Sequence, residues 1–119
     1  HHDERYARTT RHGGIVAPLL FCQTLTYDDA WPDALGADGS PIELNLPIPA
    51  VRAVGGSSEY HVHRLVRPGD VIAVTSTLRS VEEKHGKSGT LFLITIDTDF
   101  RDDTGEPVAF ERATYIKRP

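Results

Sequence analysis

The second half of this chain alternates. From residue 57 onward, apolar side chains recur at every second position in four runs, and a turn signal separates each run from the next. Glu59 to Val66 alternates and gives way to Arg67-Pro68-Gly69-Asp70. Val71 to Val81 puts Ile72, Val74, Ser76 and Leu78 on one face, and His85-Gly86-Lys87-Ser88-Gly89 reverses the chain. Leu91 to Phe100 puts Phe92, Ile94, Ile96 and Phe100 on one face and ends at Asp102-Asp103-Thr104-Gly105. The last run carries Val108, Phe110, Thr114 and Ile116 on one face. A side-chain period of two belongs to strands, and strands joined by short turns pair with their neighbours in sequence. The pattern predicts an antiparallel meander.

The first half does not alternate. Asp3 precedes Glu4-Arg5-Tyr6-Ala7-Arg8, a short helix with Asp3 as its cap, stopped by Gly13-Gly14. Pro18 suits the first turn of a second helix, because its missing N–H would have no partner there. That helix is expected to run through Leu19, Leu20, Phe21, Cys22 and Leu25 to Trp31, with Pro32 as its stop and Asp28-Asp29 at its solvated end. It is apolar on most sides, as a helix enclosed by protein is. Residues 32–56 are rich in proline and glycine and predict a long irregular connection, with a turn at Asp38-Gly39 and a non-helical Leu46-Pro47-Ile48-Pro49.

A nearly all-apolar helix followed by a long antiparallel sheet predicts an α+β fold in which the sheet curls around the helix. Leu20, Phe21 and Leu25 are then expected under the sheet face carrying Phe92, Ile94 and Ile96, or the alternate face one residue away. A sheet of this kind leaves an edge strand open, which dimerisation would cover. The length of 119 residues fits one domain. The sequence contains no methionine, so residue 1 is expected to follow a missing N-terminal segment.

Charge and cysteine content narrow the function. Seventeen acids against 13 bases give a net charge of -4, against a general nucleic-acid binder, which carries a basic face. No apolar run reaches the ~20 residues of a membrane helix, so neither a membrane nor a nucleic acid is expected as a partner. The single cysteine, Cys22, excludes an internal disulfide and a multi-cysteine zinc site, and a reducing, cytoplasmic setting is expected. In the apolar helix Cys22 reads as a core residue. His61 and His63 could share a strand face as metal ligands, but no third ligand lies near them in sequence, so structural or surface roles are favoured and no metal or cofactor is expected. Gly13-Gly14 lacks the strand and third glycine of a dinucleotide fingerprint.

The segment His1-His2-Asp3-Glu4-Arg5-Tyr6-Ala7, followed by Gly13-Gly14-Ile15-Val16-Ala17-Pro18-Leu19, resembles the MaoC-like family. These are the R-specific enoyl-CoA hydratases and 3-hydroxyacyl dehydratases of the hot-dog fold. Their motif is D-x-N-P-[LI]-H-x-D-x-x-[FY]-A, then a glycine-rich turn, then I-A-H-G opening the central helix. His1-x-Asp3 with Tyr6-Ala7 matches the second half of that motif, and Leu19 stands where the family has the helix-opening glycine. Gly55 to Arg64, leading into Val66-Arg67-Pro68-Gly69-Asp70, and the hairpin Glu82 to Gly89 are similar to the family's strand entry and hairpin. Ala17-Pro18-Leu19, the proline-rich connection and Gly55-Gly56 resemble one branch in particular, the N-terminal, fatty-acid-synthase-like dehydratase domain.

The resemblance implies a single hot-dog domain over residues 1–119, a curved antiparallel sheet around a central α-helix, working as a homodimer or as a heterodimer with another hot-dog subunit. It implies reversible hydration of a 2-enoyl thioester to the 3-hydroxyacyl thioester, on CoA or acyl-carrier protein. That chemistry needs a base for water, a proton for Cα and a donor for the thioester oxygen. By the resemblance, His1 takes the histidine role and the Leu19 backbone N–H the oxyanion role. The acyl chain runs past Leu20, Phe21, Thr24 and Leu25. Arg52, Arg64 and Arg67 offer charge for the CoA phosphates. Two departures stand out: the family's Asp falls five residues before His1, and the family's His-Gly is Pro18-Leu19 here. Subunits of this branch also occur as acyl-binding partners of a catalytic hot-dog subunit, a second reading. A hot-dog thioesterase is a third.

Overall fold

The computed structural model describes residues 1–27, 46–50 and 52–119. The expected helix end at Asp28-Asp29, the stop at Trp31-Pro32 and the turn at Asp38-Gly39 lie outside the described residues. Among those described, the order is α1 (Glu4–Thr9), a 3-10 helix (Phe21–Tyr27), β1 (Arg52–Val62), β2 (Ile72–Gly86), β3 (Gly89–Asp102) and β4 (Pro107–Arg118). The strands form one antiparallel sheet in the order β1-β4-β3-β2. The meander is as the alternation predicts. β1 starts earlier than expected, because the Gly55-Gly56 stretch is itself strand rather than connection.

The sheet has one inward face. On β3 it carries Phe92, Ile94, Ile96, Thr98 and Phe100, and opposite them on β2 stand Val81, Leu78, Ser76 and Val74. On β4 the inward residues are Ala109, Glu111, Ala113 and Tyr115. The set Phe110, Thr114 and Ile116 points the other way. Size misleads here: small alanines face inward where the 3-10 helix packs close, while Phe110 is covered from outside by the His61 ring at 6.2 Å and the Arg112 guanidinium at 5.6 Å. Glu59, Arg112 and Asp97 stand side by side across that outer face, and Arg79 reaches the same Asp97. The guanidiniums of Arg112 and Arg79 hold the Asp97 carboxyl below its ordinary range.

The core forms where the 3-10 helix crosses the sheet. Cys22 packs with Phe100, Val108 and Ala109, and Leu25, Tyr60, Val66 and Ile72 close around them. Val108 joins this cluster because a bulge between Phe100 and Arg101 shifts the start of β4. Two expectations change at this point. The described part of the central helix is a seven-residue 3-10 helix rather than an α-helix. Leu25 packs inward, but Leu20 and Phe21 remain 54% and 37% exposed.

Burial stops between β3 and β2. Ile94 is fully buried while its cross-strand neighbour Val81 is 42% exposed; Phe100 is fully buried while Val74 opposite is 38% exposed. The inward apolar side of β2 therefore lies open along its length. With 15 residues at about 3.3 Å each, β2 alone spans ~50 Å. The protein measures 55 × 27 × 26 Å, with a radius of gyration of 17.5 Å, against ~13–14 Å for a compact chain of this length.

The loop between β1 and β2 ties the N-terminal segment to the sheet. The Ala17 N–H donates to Val66 O at 2.8 Å, and Arg67 donates to His12 O at 2.7 Å. Asp70 accepts from Arg64 and from the Arg67 N–H, and Arg64 also reaches Asp102 at 3.2 Å. Asp102 in turn closes the β3–β4 turn, accepting from the Thr104 hydroxyl and from the N–H groups of Thr104 and Glu106. These donors, the Thr104 hydroxyl foremost, lower the Asp102 carboxyl to a pKa of about 2.

Three outcomes are expected. Phe100→Ala should cost ~3–5 kcal/mol in urea unfolding, whereas Phe21→Ala in the isolated chain should cost about 1 kcal/mol or less. Because the folded Asp102 pKa lies below its unfolded value, its contribution is present above pH ~4 and is lost as pH falls toward about 2. Asp102→Asn should remove that acid-side slope from melting curves taken between pH 5 and 2. Finally, the open side of β2 predicts an assembly burying more than ~1,200 Å² in total; sedimentation of a stable monomer at micromolar concentration, with no partner supplied, would contradict it.

Candidate active site

The His-x-Asp segment and the turn that opens the 3-10 helix meet. Asp3 caps α1, its Oδ1 accepting from the Tyr6 N–H at 2.9 Å. This folds residues 1–3 back across the start of the helix, and His1 Nδ1 lies 2.7 Å from Val16 O. A carbonyl oxygen can only accept, so Nδ1 carries the proton. In the neutral imidazole that leaves the Nε2 lone pair as the basic site. The turn itself needs Gly13, whose φ of 67° is the left-handed region.

Three residues past Val16, the Leu19 N–H donates to no other described residue. The first backbone bond of the helical turn is Phe21 N–H to Pro18 O, 3.0 Å. Leu19 thus offers an open donor at the head of a helical turn, but its side chain is 63% exposed and would stand beside anything bound there. The remaining expected binding residues divide. Leu25 joins the core, Leu20 and Phe21 face outward with Leu19, and Thr24 is exposed with its hydroxyl donating to Phe21 O at 2.7 Å. Among the described residues they do not enclose an acyl tunnel. Arg64 and Arg67, expected as phosphate contacts, are engaged by Asp70, Asp102 and His12 O.

A polar cluster on the inward face was not anticipated. Glu111 Oε1 accepts from Gln23 of the 3-10 helix at 3.0 Å and from Ser58 of β1 at 2.8 Å. One carboxylate therefore holds the helix to two strands. The Tyr60 hydroxyl is buried next to this cluster, with no hydrogen-bond partner among the described residues. Burial, the Cys22 thiol and the Glu111 charge all push its pKa up. Burial likewise raises the Cys22 thiol, which marks it as a core residue and not a reactive one. Strict alternation from Ala109 and Ala113 would have found Glu111, since it shares their face.

His61 is engaged elsewhere, its Nε2 lying 2.8 Å from Glu59 Oε1 on the outer face. Among the described residues no three His, Cys, Asp or Glu side chains converge as metal ligands would, and no helix is long and apolar enough to cross a membrane.

Comparison with known proteins identifies the family and the fold. The FAS1-like dehydratase domain region matches residues 1–111. A UPF0336 protein of Streptomyces griseus is 32% identical over 98% of this chain and 70% of its own length. A probable enoyl-CoA hydratase alpha subunit of Thermomonospora curvata is 32% identical over 97% of this chain, which spans 38% of that protein. In fold, the chain is similar to the ChsH1-ChsH2 complex of Mycobacterium tuberculosis (TM-score 0.71, 24% identity, 98% of this chain and 70% of that one). It is also similar to the MaoC-like dehydratase of Rhodospirillum rubrum (TM-score 0.61, 22% identity, 98% and 73%). The α+β arrangement, a curved antiparallel sheet with a helix on its inward face, is the hot-dog fold. The chain belongs to the FAS1-like dehydratase domain family.

Proposed function

We propose that this domain works on acyl thioesters, adding water reversibly to a 2-enoyl thioester of CoA or acyl-carrier protein to give the 3-hydroxyacyl thioester. The observation that carries this reading is the bond from His1 to Val16 O, because it brings an oriented imidazole to the turn that bears the open Leu19 N–H. In the hydration direction, His1 Nε2 is positioned to take a proton from water and return one at Cα, general acid–base work of a kind that contributes about 10²–10⁴-fold. The thioester oxygen gains negative charge as the water oxygen bonds to Cβ. The Leu19 N–H, at the head of a helical turn, supplies a donor for it. Leu20, Phe21 and Thr24, exposed beside Leu19, are assigned to the acyl chain, and Leu25 to the core behind them. The Thermomonospora relative's name, a hydratase alpha subunit, supports the reaction class.

A second reading has its own observation. Leu19, Leu20 and Phe21 form an exposed apolar run, as a surface completed by another subunit would. The solved neighbours include two complexes of unlike chains, ChsH1-ChsH2 and HadBC, the latter a 3R-hydroxyacyl-ACP dehydratase. In this reading the domain holds the acyl group and a partner hot-dog subunit supplies the acid and base.

Hydration of crotonyl-CoA, followed by loss of enoyl absorbance, separates the two. His1→Ala should lower turnover by ~10²-fold or more and leave folding intact, because His1 lies outside the core. Equal turnover in variant and wild type would remove His1 from the mechanism. Activity that requires a neighbouring hot-dog subunit and survives His1→Ala would establish the acyl-binding role.

A further inference from the structure

The inward face has a second feature besides the 3-10 helix. Between β1 and β4 lies an open groove of about 290 Å³, bounded by Gly55, Gly56, Ser58, Glu111, Ala113 and Tyr115. Its floor is low because the side chains on it are small. Gly56 sits in the bulge between Gly55 and Ser57, where a Cβ would come within 2.7 Å of Thr114 O. No larger residue is accommodated there without moving backbone. Gly55, on the inward face opposite Tyr115, is different: a Cβ there meets nothing within 4 Å. The space above Gly55 is therefore a void left by sequence, not one forced by the backbone.

One side of the groove is a carboxylate. Glu111 Oε1 is occupied by Gln23 and Ser58, and among the described residues Oε2 has no hydrogen-bond partner. The groove thus combines a small-residue floor with an open acceptor that carries negative charge. The bond from Gln23 to Glu111 places it beside the 3-10 helix. Gln23 is four residues past Leu19, which is ~8 Å along such a helix.

We propose that this groove is the subsite for the far end of the acyl chain, and that Glu111 selects acyl groups ending in a hydrogen-bond donor, such as a hydroxyl, over those ending in a carboxylate. The proposal rests on the thioester reading above. The direction of selectivity follows from charge. A hydroxyl donates to the open oxygen of Glu111, a charge-assisted bond, whereas a second carboxylate in the same groove meets a like charge and loses its hydration.

Gly55→Leu is the clean test, since it fills the groove without a clash at Cβ. Calorimetric binding is measured with non-reactive thioether analogues of butyryl-CoA, octanoyl-CoA, 8-hydroxyoctanoyl-CoA and 8-carboxyoctanoyl-CoA, using the full chain with any subunit it needs. The wild type should bind the hydroxy analogue about tenfold more tightly than the carboxy analogue. Gly55→Leu should weaken the three longer chains by about tenfold, as expected for excluding one or two methylenes, and leave the butyryl analogue unchanged. Glu111→Gln retains an acceptor for Gln23 and Ser58, so the fold is kept, and should abolish the discrimination against the carboxylate. Wild type and Gly55→Leu binding all chains equally would overturn the subsite, and discrimination unchanged in Glu111→Gln would overturn the role of Glu111. If the wild type binds none of the four analogues, the thioester reading itself fails, a result distinct from either.

Discussion

A sheet can bury its apolar face only where something lies over it, and among the described residues that cover is narrower than the sheet. The seven-residue 3-10 helix sits over the β3–β4 end of the inward face, where Cys22 meets Phe100, Val108 and Ala109. Apolar burial is the main source of stability in a small domain, so the position of this helix decides which strands are core and which are rim. β3 is core, and β2, paired to it residue by residue, is rim. The contrast between Ile94 and Val81 is one register step across the sheet. The elongated shape follows from the same fact, because two long strands extend beyond the part of the molecule that a single short helix can cover.

The same cover carries the site of the proposed chemistry. The helix that packs on Phe100 begins just after Leu19, and the turn before it accepts the His1 hydrogen bond at Val16. That turn is held in place from the sheet side by Val66 and from below by the chain of charges running through Arg67, Asp70, Arg64 and Asp102. An open backbone donor and an oriented imidazole are of use to a reaction only if their separation is constant. In this fold the constancy comes from loop contacts distant in sequence, 38 positions apart for the Arg64–Asp102 pair. Arg64 and Arg67, which charge alone offered as phosphate ligands, hold the loop for this reason.

Much of this was legible in advance. The alternation from residue 57 onward specifies the hairpins and their turns, because a strand exposes its two faces to two environments and the side chains must follow. Asp3 as a cap is a local decision made by one hydrogen bond; the helix it starts ends at its Thr10 cap, ahead of the expected stop at Gly13, whose backbone angle makes the turn that follows. The order of short motifs, His-x-Asp, glycine turn, helix opening, points to the family without any tertiary information. Two errors have physical causes. On β4 the larger side chains suggested the inward face, but Cys22 of the helix packs directly on Ala109 there, and Phe110 finds its cover from His61 and Arg112 outside. On the helix, Leu20 and Phe21 have the hydrophobicity of core residues, yet a three-residue turn rotates them away from the sheet that Cys22 and Leu25 face.

By itself, then, the sequence determined the strands, their turns, the capped first helix and the family, since each of these is encoded by neighbours a few residues apart. The tertiary structure alone decided which side of β4 is inward, which apolar residues stay exposed, and that Gln23, Ser58 and Glu111 meet. Those outcomes depend on where a helix from the first quarter of the chain comes to rest on strands from the last, and no local pattern carries that distance. The open groove beside Glu111 belongs to the second kind: its glycines are visible in the sequence, but only the pairing of β1 with β4 sets Gly55 opposite Tyr115 and in one groove with Glu111.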